Sequence, residues 1–329
     1  MTRLALVGYG RIAPRHLEIF RALGCDIVAA CNRSQEGRRR AQVEGGIPAV
    51  YSDIVEMLER EKPDGVVCCA SFDQVYHAAE AILPRRIPTL LEKPPGTSLS
   101  ELAELQALAA RHATPVMVGM NRRHYSVVQR AVEDAGGLEA ITSVSVEWSE
   151  DPSAFARRGF SAEQVARMIF GNSLHGLDLL TCLAGPIPAP RIVTHDLGGR
   201  FRWIMALAGV SERGVLGTFQ SSWDAPGPWR LTFCAAERRY TFAPLETCRV
   251  SERGVDGERV IEPDDDDRTF KPGFYRQGRL FLRTIQSRES PAMAGLDAVR
   301  PAMVLAERLT TSLMREAAAA ADQPHVRVP

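Results

Sequence analysis

The feature that most constrains the fold is a glycine-containing loop close to the N-terminus. An apolar run, Leu4–Val7, leads directly into Gly8-Tyr9-Gly10-Arg11-Ile12-Ala13, and the amphipathic segment His16–Leu23 follows. This is a G-x-G-x-x-A pattern between a predicted strand and a predicted helix, the setting in which such loops bind dinucleotides. The glycines allow a tight turn beside a pyrophosphate, and the helix N-terminus offers free N–H groups. The predicted cofactor contacts in this loop are Gly8, Tyr9, Gly10, Arg11 and Ile12.

Short apolar runs alternate with longer amphipathic segments through the first part of the chain. The runs are Leu4–Val7, Ile27–Cys31, Ala49–Tyr51, Gly65–Cys69, Thr89–Leu91 and Val116–Gly119. Strands that are apolar on both faces and separated by helices are typical of a parallel sheet covered by helices. We therefore predict an α/β protein whose first domain, residues 1–121, is a Rossmann domain with a doubly wound parallel sheet.

The pattern changes after Asn121. Most of the following segments are strand-like and are joined by Gly, Pro and charged turns, which indicates an antiparallel sheet. We predict an α+β domain over residues 122–329 with a large, open, mainly antiparallel sheet. One helix is expected over about 162–183, and a closing helix over 296–320 is expected to pack back on the first domain. The acidic run Asp264–Asp267 is expected to be a solvated loop.

Composition limits the class of partner. Lys plus Arg and Asp plus Glu both number 40, so no basic excess is available to bind nucleic acid. No apolar run approaches the about 20 residues that span a membrane, and the N-terminus does not read as a signal segment. None of the seven cysteines forms a CxxC pair, which argues against a metal site. These features predict a cytoplasmic protein with neither a nucleic-acid nor a membrane partner.

The end of the second predicted strand bears on cofactor choice. Folds that bind NAD usually place a carboxylate there for the ribose 2′-hydroxyl, whereas this chain has Asn32-Arg33-Ser34, with Arg38 on the next helix. A guanidinium suits a 2′-phosphate. We therefore predict NADP as the cofactor, with NAD as the second choice; the alternative is that Arg33 and Arg38 only face solvent.

Two further motifs carry a family resemblance. The fifth predicted strand ends in Leu91-Glu92-Lys93-Pro94, and His175-Gly176-Leu177-Asp178 follows in the second half. Together with the glycine loop, they make the chain similar over essentially its whole length to the Gfo/Idh/MocA superfamily. The resemblance implies an NAD(P)-dependent oxidoreductase acting on CH–OH groups of a sugar, cyclitol or sugar nucleotide. It also implies a cis Lys93–Pro94 bond, with residues 92–94 beside the cofactor.

The resemblance gives the catalytic residues their expected roles. Lys93 would hydrogen-bond the reacting oxygen, and His175 would pass the proton, since an imidazole titrates near neutrality. The family pattern D-x-G-x-H-x-x-D is incomplete here, because Gly171 stands at its first aspartate and Ser173 at its glycine. Asn172 can position a hydroxyl but cannot accept its proton. Asp178 is predicted to be an orienting or structural carboxylate.

Other positions match the family less sharply. Further predicted cofactor contacts are Ser71, Phe72, Gln74, His77 and Asn121, and the predicted substrate contacts are Arg123, Tyr125 and Arg157. The alternative for His77 is helix packing, and the alternative for Arg157 is a solvated loop.

Two other functions remain open at this point. A minority of the family are glycosidases in which a tightly held nicotinamide performs transient oxidation. The missing aspartate at position 171 favours a non-catalytic dinucleotide sensor. The resemblance also implies a homodimer or homotetramer assembled through the open sheet.

Overall fold

The computed structural model describes residues 1–198 and 201–321. Within these ranges the strands are β1 Arg3–Val7, β2 Asp26–Cys31, β3 Ala49–Tyr51, β4 Gly65–Cys68, β5 Thr89–Glu92, β6 Val116–Gly119, β7 Ile141–Trp148, β8 Arg191–Asp196, β9 Trp203–Val210, β10 Leu216–Ser222, β11 Trp229–Ala235, β12 Arg238–Phe242, β13 Cys248–Glu252 and β14 Arg259–Ile261. The α-helices are α1 Ala13–Ala22, α2 Gln35–Val43, α3 Ile54–Glu61, α4 Val75–Ile82, α5 Leu99–His112, α6 Ser126–Asp134, α7 Ser153–Arg157, α8 Ala162–Ala166, α9 Ser173–Ala184, α10 Asp265–Thr269, α11 Phe274–Ser287 and α12 Leu296–Ala321. Of the helices in these ranges, none combines the length and apolar character needed to cross a bilayer.

The chain forms two compact units. Unit 1 comprises Met1–Ser126 and Asp264–Arg300, and unit 2 comprises the described residues of Val127–Pro263 and Pro301–Pro329. Each unit contains one β-sheet.

Unit 1 contains the predicted parallel sheet. Its six strands lie in the order β3-β2-β1-β4-β5-β6, and every pair is parallel. The residues of β4, β5 and β6 are all buried, which explains their continuous apolar sequences. Strand order reverses between β1 and β4, and ligands of such sheets bind at the carboxyl ends of the strands beside this point. The Rossmann prediction is confirmed.

Residues from the C-terminal part of the chain complete the core of unit 1. Helix α11 packs against α1, with the rings of Phe20 and Phe281 edge to face at 6.0 Å. A Cβ on Gly278 would lie 2.9 Å from side-chain atoms of Ile19 and Leu23, so the two helices approach closely at this glycine.

The expectation of a solvated loop over Asp264–Asp267 is wrong. Asp264 caps α10 by accepting a hydrogen bond from the backbone N of Asp267 at 3.1 Å. Asp267 is 7% exposed and accepts hydrogen bonds from the backbone N atoms of Ser126 (2.5 Å) and Gly273 (2.7 Å). The run looked solvated because nothing in the local sequence reveals these two distant donors.

Unit 2 contains an eight-stranded sheet in the order β14-β13-β12-β11-β7-β10-β9-β8. Only the β7–β10 pair is parallel among the pairings of the described strands, so the predicted mainly antiparallel sheet is confirmed. Helix α9 packs on this sheet, and a Cβ on Gly176 would lie 2.8 Å from the indole of Trp148. Glycine therefore allows α9 to lie against β7.

Two helix predictions for unit 2 have different outcomes. The expected helix over 162–183 is wrong as one element, because α8 and a 3-10 turn, Arg167–Phe170, end at Gly171 and α9 begins at Ser173. In the later part of α12, Ser312 and Glu316 contact Thr194 and His195 of β8. The packing of this helix on the first domain stays a prediction.

Candidate active site

The glycine loop joins β1 to α1 at the carboxyl edge of the parallel sheet. Gly8 has a φ of +85°, and a Cβ there would lie 2.8 Å from backbone atoms of Cys69 and Ala70, so only glycine fits. A Cβ on Gly10 would meet nothing within 4 Å. Ile12, the N-cap of α1, makes no side-chain capping bond. The loop therefore offers the open space and helix N-terminus that suit a dinucleotide pyrophosphate.

Tyr9 and Arg11 differ in what they can offer a cofactor. Tyr9 is 3% exposed, and a Cβ on Gly45 would lie 2.5 Å from its hydroxyl oxygen. The Arg40 guanidinium carbon lies 5.9 Å from the Tyr9 ring centroid. The Tyr9 side chain thus belongs to the packed interior, which leaves only its backbone for a cofactor contact, whereas Arg11 is exposed.

The turn after β2 is built by three of the four residues predicted to select the cofactor. Asn32 Oδ1 accepts hydrogen bonds from the N and Oγ atoms of Ser34 at 3.1 and 3.2 Å. Ser34 Oγ in turn caps α2 by accepting from Gly37 N at 3.0 Å. Arg38 Nη1 donates to the carbonyl oxygens of Asn32 and Arg33 at 2.8 and 2.7 Å. Arg38 therefore holds the turn together, and Arg33 is the exposed arginine.

The loop after β4 brings a carboxylate near Arg33 that the sequence analysis missed. Ser71 Oγ donates to Asp73 Oδ1 at 2.7 Å, and Gln74 Nε2 donates to Asp73 Oδ2 at 3.2 Å. Partial burial raises the pKa of Asp73, but these hydrogen bonds and the charge of Arg33 outweigh it, so the pKa lies below its usual value. Asp73 is thus a charged neighbour of Arg33, the exposed one of the two arginines predicted to bind a 2′-phosphate.

The two remaining predicted contacts in this region differ in exposure. Phe72 is half-buried in the loop. His77 is exposed on α4, and its Nδ1 lies 3.2 Å from Glu80 Oε2. The packing alternative for His77 is therefore not supported, and its contact with the cofactor stays a prediction.

The end of β5 is supported by a buried acid–histidine pair. Glu92 is 8% exposed, and its Oε1 lies 2.7 Å from Nε2 of His16, which is 1% exposed on α1. A Cβ on Gly119 of β6 would lie 3.1 Å from the same carboxylate oxygen. The next residue, Lys93, is half-buried and joined to Pro94 by a cis peptide bond, as the resemblance implied. The residue immediately before Lys93 in sequence is therefore fixed by a buried contact with His16.

His16 also contacts Phe274, in a segment for which the sequence predicted no site role. The Phe274 ring centroid lies 5.0 Å from that of His16, and Lys271 Nζ lies 4.7 Å from the Phe274 centroid. Desolvation lowers the pKa of Lys271, and the charge of Glu92 acts in the opposite direction. The cations that lower it further are those of Arg122, Arg15 and Arg11. This excess of positive charge suits the anionic part of a dinucleotide.

Residues after β6 hold unit 1 together. Asn121 is buried, and its Nδ2 donates to the carbonyl oxygen of Pro272 at 3.1 Å. The Arg123 guanidinium donates to the carbonyl oxygens of Met293 and Ala298, both at 2.6 Å. We therefore do not retain Arg123 as a substrate contact, because both terminal nitrogens bind backbone within unit 1.

The other two predicted substrate residues have opposite environments. Tyr125 is 4% exposed, and a Cβ on Gly273 would lie 3.0 Å from its ring. Arg157 is exposed at the last residue of α7. Burial leaves little of Tyr125 to contact a substrate, and Arg157 remains the more accessible candidate.

In unit 2, the predicted catalytic residues lie in the first two turns of α9. His175 is 6% exposed and Asp178 is fully buried. Asn172 is the exposed N-cap, and its Nδ2 lies 3.4 Å from Glu150 Oε2. Ser173 Oγ donates to Glu150 Oε1 at 3.2 Å. The sequence did not predict Glu150 as a site residue, because it follows β7 and is far from α9 in sequence.

Comparisons with known proteins agree with this architecture. The sequence profile described as "Oxidoreductase family, NAD-binding Rossmann fold", that of Gfo/Idh/MocA proteins, matches residues 2–120. The chain is 26% identical over 322 residues to the rhizopine catabolism protein MocA of Rhizobium meliloti, covering 95% of this chain and 96% of that protein. It is 25% identical over 314 residues to myo-inositol 2-dehydrogenase of Thermotoga maritima, covering 90% and 91%.

The likeness in fold extends to solved structures. Levoglucosan dehydrogenase, in a complex with NADH, superimposes with a TM-score of 0.80 at 14% identity, covering 96% of this chain and 97% of that one. The glycine loop, the six-stranded parallel sheet and the profile match together indicate an NAD-binding Rossmann fold in unit 1. Residues 2–120 match the Gfo/Idh/MocA oxidoreductase family, and the chain is similar over nearly its whole length to the two relatives named above.

Proposed function

We propose that this protein is an NAD-dependent dehydrogenase that interconverts a secondary alcohol and a ketone on a sugar or cyclitol. The observation that carries the proposal is Lys93, which is half-buried at the end of β5 and follows Glu92, the partner of His16. It lies at the carboxyl edge of the sheet, as the glycine loop does, which is where such sheets bind dinucleotides. The relative named myo-inositol 2-dehydrogenase favours a polyhydroxylated ring as substrate.

The composition of the chain supports a specific role for this ammonium group. Lysine occurs only at positions 62, 93 and 271, although Lys plus Arg number 40. Lysine differs from arginine in that its pKa can shift and its ammonium is a compact donor. A lysine at position 93, in a chain so rich in arginine, is consistent with a group that must donate to the reacting oxygen.

NAD would supply the hydride acceptor, held by the glycine loop and the turns after β2 and β4. Lys93 donates a hydrogen bond to the carbinol oxygen and stabilises negative charge on it. His175 accepts the hydroxyl proton while the carbinol carbon gives up a hydride, so the alcohol loses two electrons and two hydrogens. Asn172 orients the hydroxyl, and Asp178 orients the first turns of α9.

A kinetic screen tests this assignment. NADH formation is measured with a panel of cyclitols, aldoses and sugar nucleotides, for the wild type and for Lys93→Met and His175→Ala. Each variant should lower kcat by about 10²–10⁴-fold, the usual contribution of a positioned acid–base group, while NAD still binds. Lys62→Met, which removes an exposed lysine in unit 1, is the matched control.

The outcomes of the screen separate the candidate functions. Net NADH release with some panel member supports the dehydrogenase. Glycoside cleavage without net release would identify the glycosidase instead. Tight NAD binding without turnover on any panel member would identify the dinucleotide sensor that the glycine at position 171 favours.

We further propose NAD rather than NADP as the cofactor, so the first-choice sequence prediction is not retained. The family profile is described as NAD-binding, and the levoglucosan dehydrogenase structure contains NADH. Within unit 1, Arg38 Nη1 binds two carbonyl oxygens, and Asp73 lies near Arg33. A 2′-phosphate would therefore meet one exposed arginine whose charge is offset by a carboxylate.

Dissociation constants for both cofactors test the choice. We expect the wild type to bind NAD more tightly than NADP. Asp73→Asn should strengthen NADP binding by about threefold to fivefold, since it removes an exposed negative charge near Arg33, where a 2′-phosphate would bind. Arg33→Ala should weaken NADP more than NAD. A wild type that prefers NADP, or an Asp73→Asn variant with an unchanged preference, would contradict the proposal.

A further inference from the structure

Glu150 lies where α9 begins, and its backbone is fixed. It follows β7 by two residues, and its N–H donates to the carbonyl oxygen of Ser222 at the end of β10. Its two carboxylate oxygens lie 3.4 Å from Asn172 Nδ2 and 3.2 Å from Ser173 Oγ. The carboxylate thus contacts the first two residues after Gly171, the position at which the family pattern has an aspartate.

The packing of α9 on β7 brings Glu150 and His175 into one neighbourhood of unit 2. Gly176 lies against the Trp148 indole, where a Cβ would come within 2.8 Å. His175 precedes Gly176 in sequence, and Glu150 follows Trp148 by two residues. The N–H of His175 donates to the carbonyl oxygen of Asn172 at 3.0 Å, so the residue that Glu150 contacts shares a helical turn with His175.

We propose that Glu150, at the end of β7, takes the place of the aspartate that the family pattern has at position 171, where this chain has glycine. It is a positioning residue: through Asn172 and Ser173 it holds the first turn of α9, and its negative charge favours the protonated imidazole. The inference rests on the proposed function, in which His175 accepts the hydroxyl proton of the substrate. A chain with Gly171 would then keep the proton-accepting step through a carboxylate from a different element.

A titration of His175 tests whether the Glu150 carboxylate acts on the imidazole, and it needs no substrate. The imidazole is followed by NMR in the wild type, Glu150→Gln and Glu147→Gln, and its signal is identified by its loss in His175→Asn. Glu147 lies on β7 and pairs with Arg230 at 3.3 Å, so it is the matched control. Asp178, whose carboxylate is also on the first turns of α9, is unchanged in all three proteins. It therefore cannot cause a difference between their titrations.

The expected result is a proton affinity of His175 that falls about threefold to tenfold in Glu150→Gln and does not change in Glu147→Gln. Glu150→Asp, which keeps the charge on a shorter side chain, should retain most of the wild-type affinity. An unchanged His175 titration in Glu150→Gln would overturn the inference. A purely structural role would not produce a shift that depends on the charge of residue 150.

Turnover provides the second measurement. Glu150→Gln should lower kcat about tenfold to hundredfold and move the lower limb of the kcat–pH profile to lower pH, with the KM for NAD unchanged. Adding Gly171→Asp to Glu150→Gln should restore most of the lost kcat, whereas adding it to the wild type should change kcat little. A Glu150→Gln variant with the wild-type kcat and pH profile would overturn the inference. If the wild type turns over no panel substrate, the proposed function fails, and the titration still decides the placement of Glu150.

Discussion

His124 is a buried imidazole whose charge state is set by its surroundings in unit 1. It is 8% exposed, and its Nε2 has no hydrogen-bond partner among the described residues. Burial first, and then the charges of Arg123 and Arg276, lower the pKa of His124 to about 4. The folded chain therefore keeps this histidine neutral at pH values where an exposed imidazole is already protonated.

This difference predicts a loss of stability in acid. Between pH 6.5 and about pH 4 the unfolded chain binds a proton at His124 that the folded chain does not bind, so the free energy of unfolding falls as the pH falls through this window. The contribution amounts to about 3 kcal/mol at the lower end. In His124→Gln, the difference in unfolding free energy between pH 7 and pH 4, measured by urea denaturation, should be smaller by that amount. The exposed His77→Gln is the matched control, and an equal pH dependence in wild type and His124→Gln would refute the prediction.

Among the elements, the short helix α10 ties the C-terminal part of unit 1 to the start of α6. The Asp267 carboxylate accepts from the backbone N atoms of Ser126 and Gly273 and lies 3.4 Å from Arg276 Nη1. A Cβ on Gly273 would collide with the carbonyl oxygen of Asn121, so this turn has no room to rearrange. Donors to a charged acceptor contribute more than neutral pairs do.

Asp267→Asn should therefore destabilise unit 1 by about 2–3 kcal/mol, because an amide offers one acceptor oxygen in place of two and brings an N–H₂ group against one of the two backbone donors. Asp265→Asn is the matched control: it lies on the same helix with its side chain 98% exposed and should change stability by less than about 0.5 kcal/mol. Both values come from denaturant unfolding followed by circular dichroism. Equal stabilities of the two variants would show that the buried carboxylate does not hold this turn.

These elements also show how far the sequence could predict the structure. Apolar runs predicted the strands of unit 1, because a strand buried on both faces leaves a local pattern. The Glu-Lys-Pro motif is also local in sequence, and it predicted Lys93 as a site residue. The sequence did not predict the partners of Asp267, the contact of Glu150 with α9, or the approach of Lys271 to Phe274 and His16. The contacts of Asp267 and Glu150 join residues far apart in the chain, and Lys271 reaches His16 only through Phe274, so no periodicity or spacing encodes them.

The same limit applies to the break at Gly171. Residues 162–183 have continuous helical spacing, yet the chain leaves the helix at Gly171 and restarts at Ser173. Glycine disfavours a helix by only about 1 kcal/mol, which is too small an effect to predict a break from sequence. The break nevertheless places the N-terminus of α9, with Asn172 and Ser173, beside Glu150.

At the scale of the whole molecule, one face of the unit 2 sheet exposes apolar side chains. Val193 is 67% exposed, Ile204 37%, Val210 59% and Leu216 48%. The strand register puts them on one side, since Val193 pairs with Ala206 and Leu216 with Val210. Contiguous apolar surface of this kind usually marks an interface. We propose that a second copy of the chain covers this face, as the family resemblance implies.

Replacing apolar residues of this face with arginine tests the assembly. Sedimentation velocity should show a dimer or tetramer for the wild type and a monomer for Val210→Arg/Leu216→Arg, because an interface between two copies of one face would bury each new guanidinium against apolar side chains without a carboxylate to pair with. Val43→Arg is the matched control, since Val43 is 68% exposed at the end of α2 in unit 1 and should leave the assembly intact. A monomeric wild type at high concentration would refute the proposed interface. If the arginine variant still assembles, the interface lies on another surface, because two guanidinium groups per copy cannot be buried in an apolar contact without weakening it.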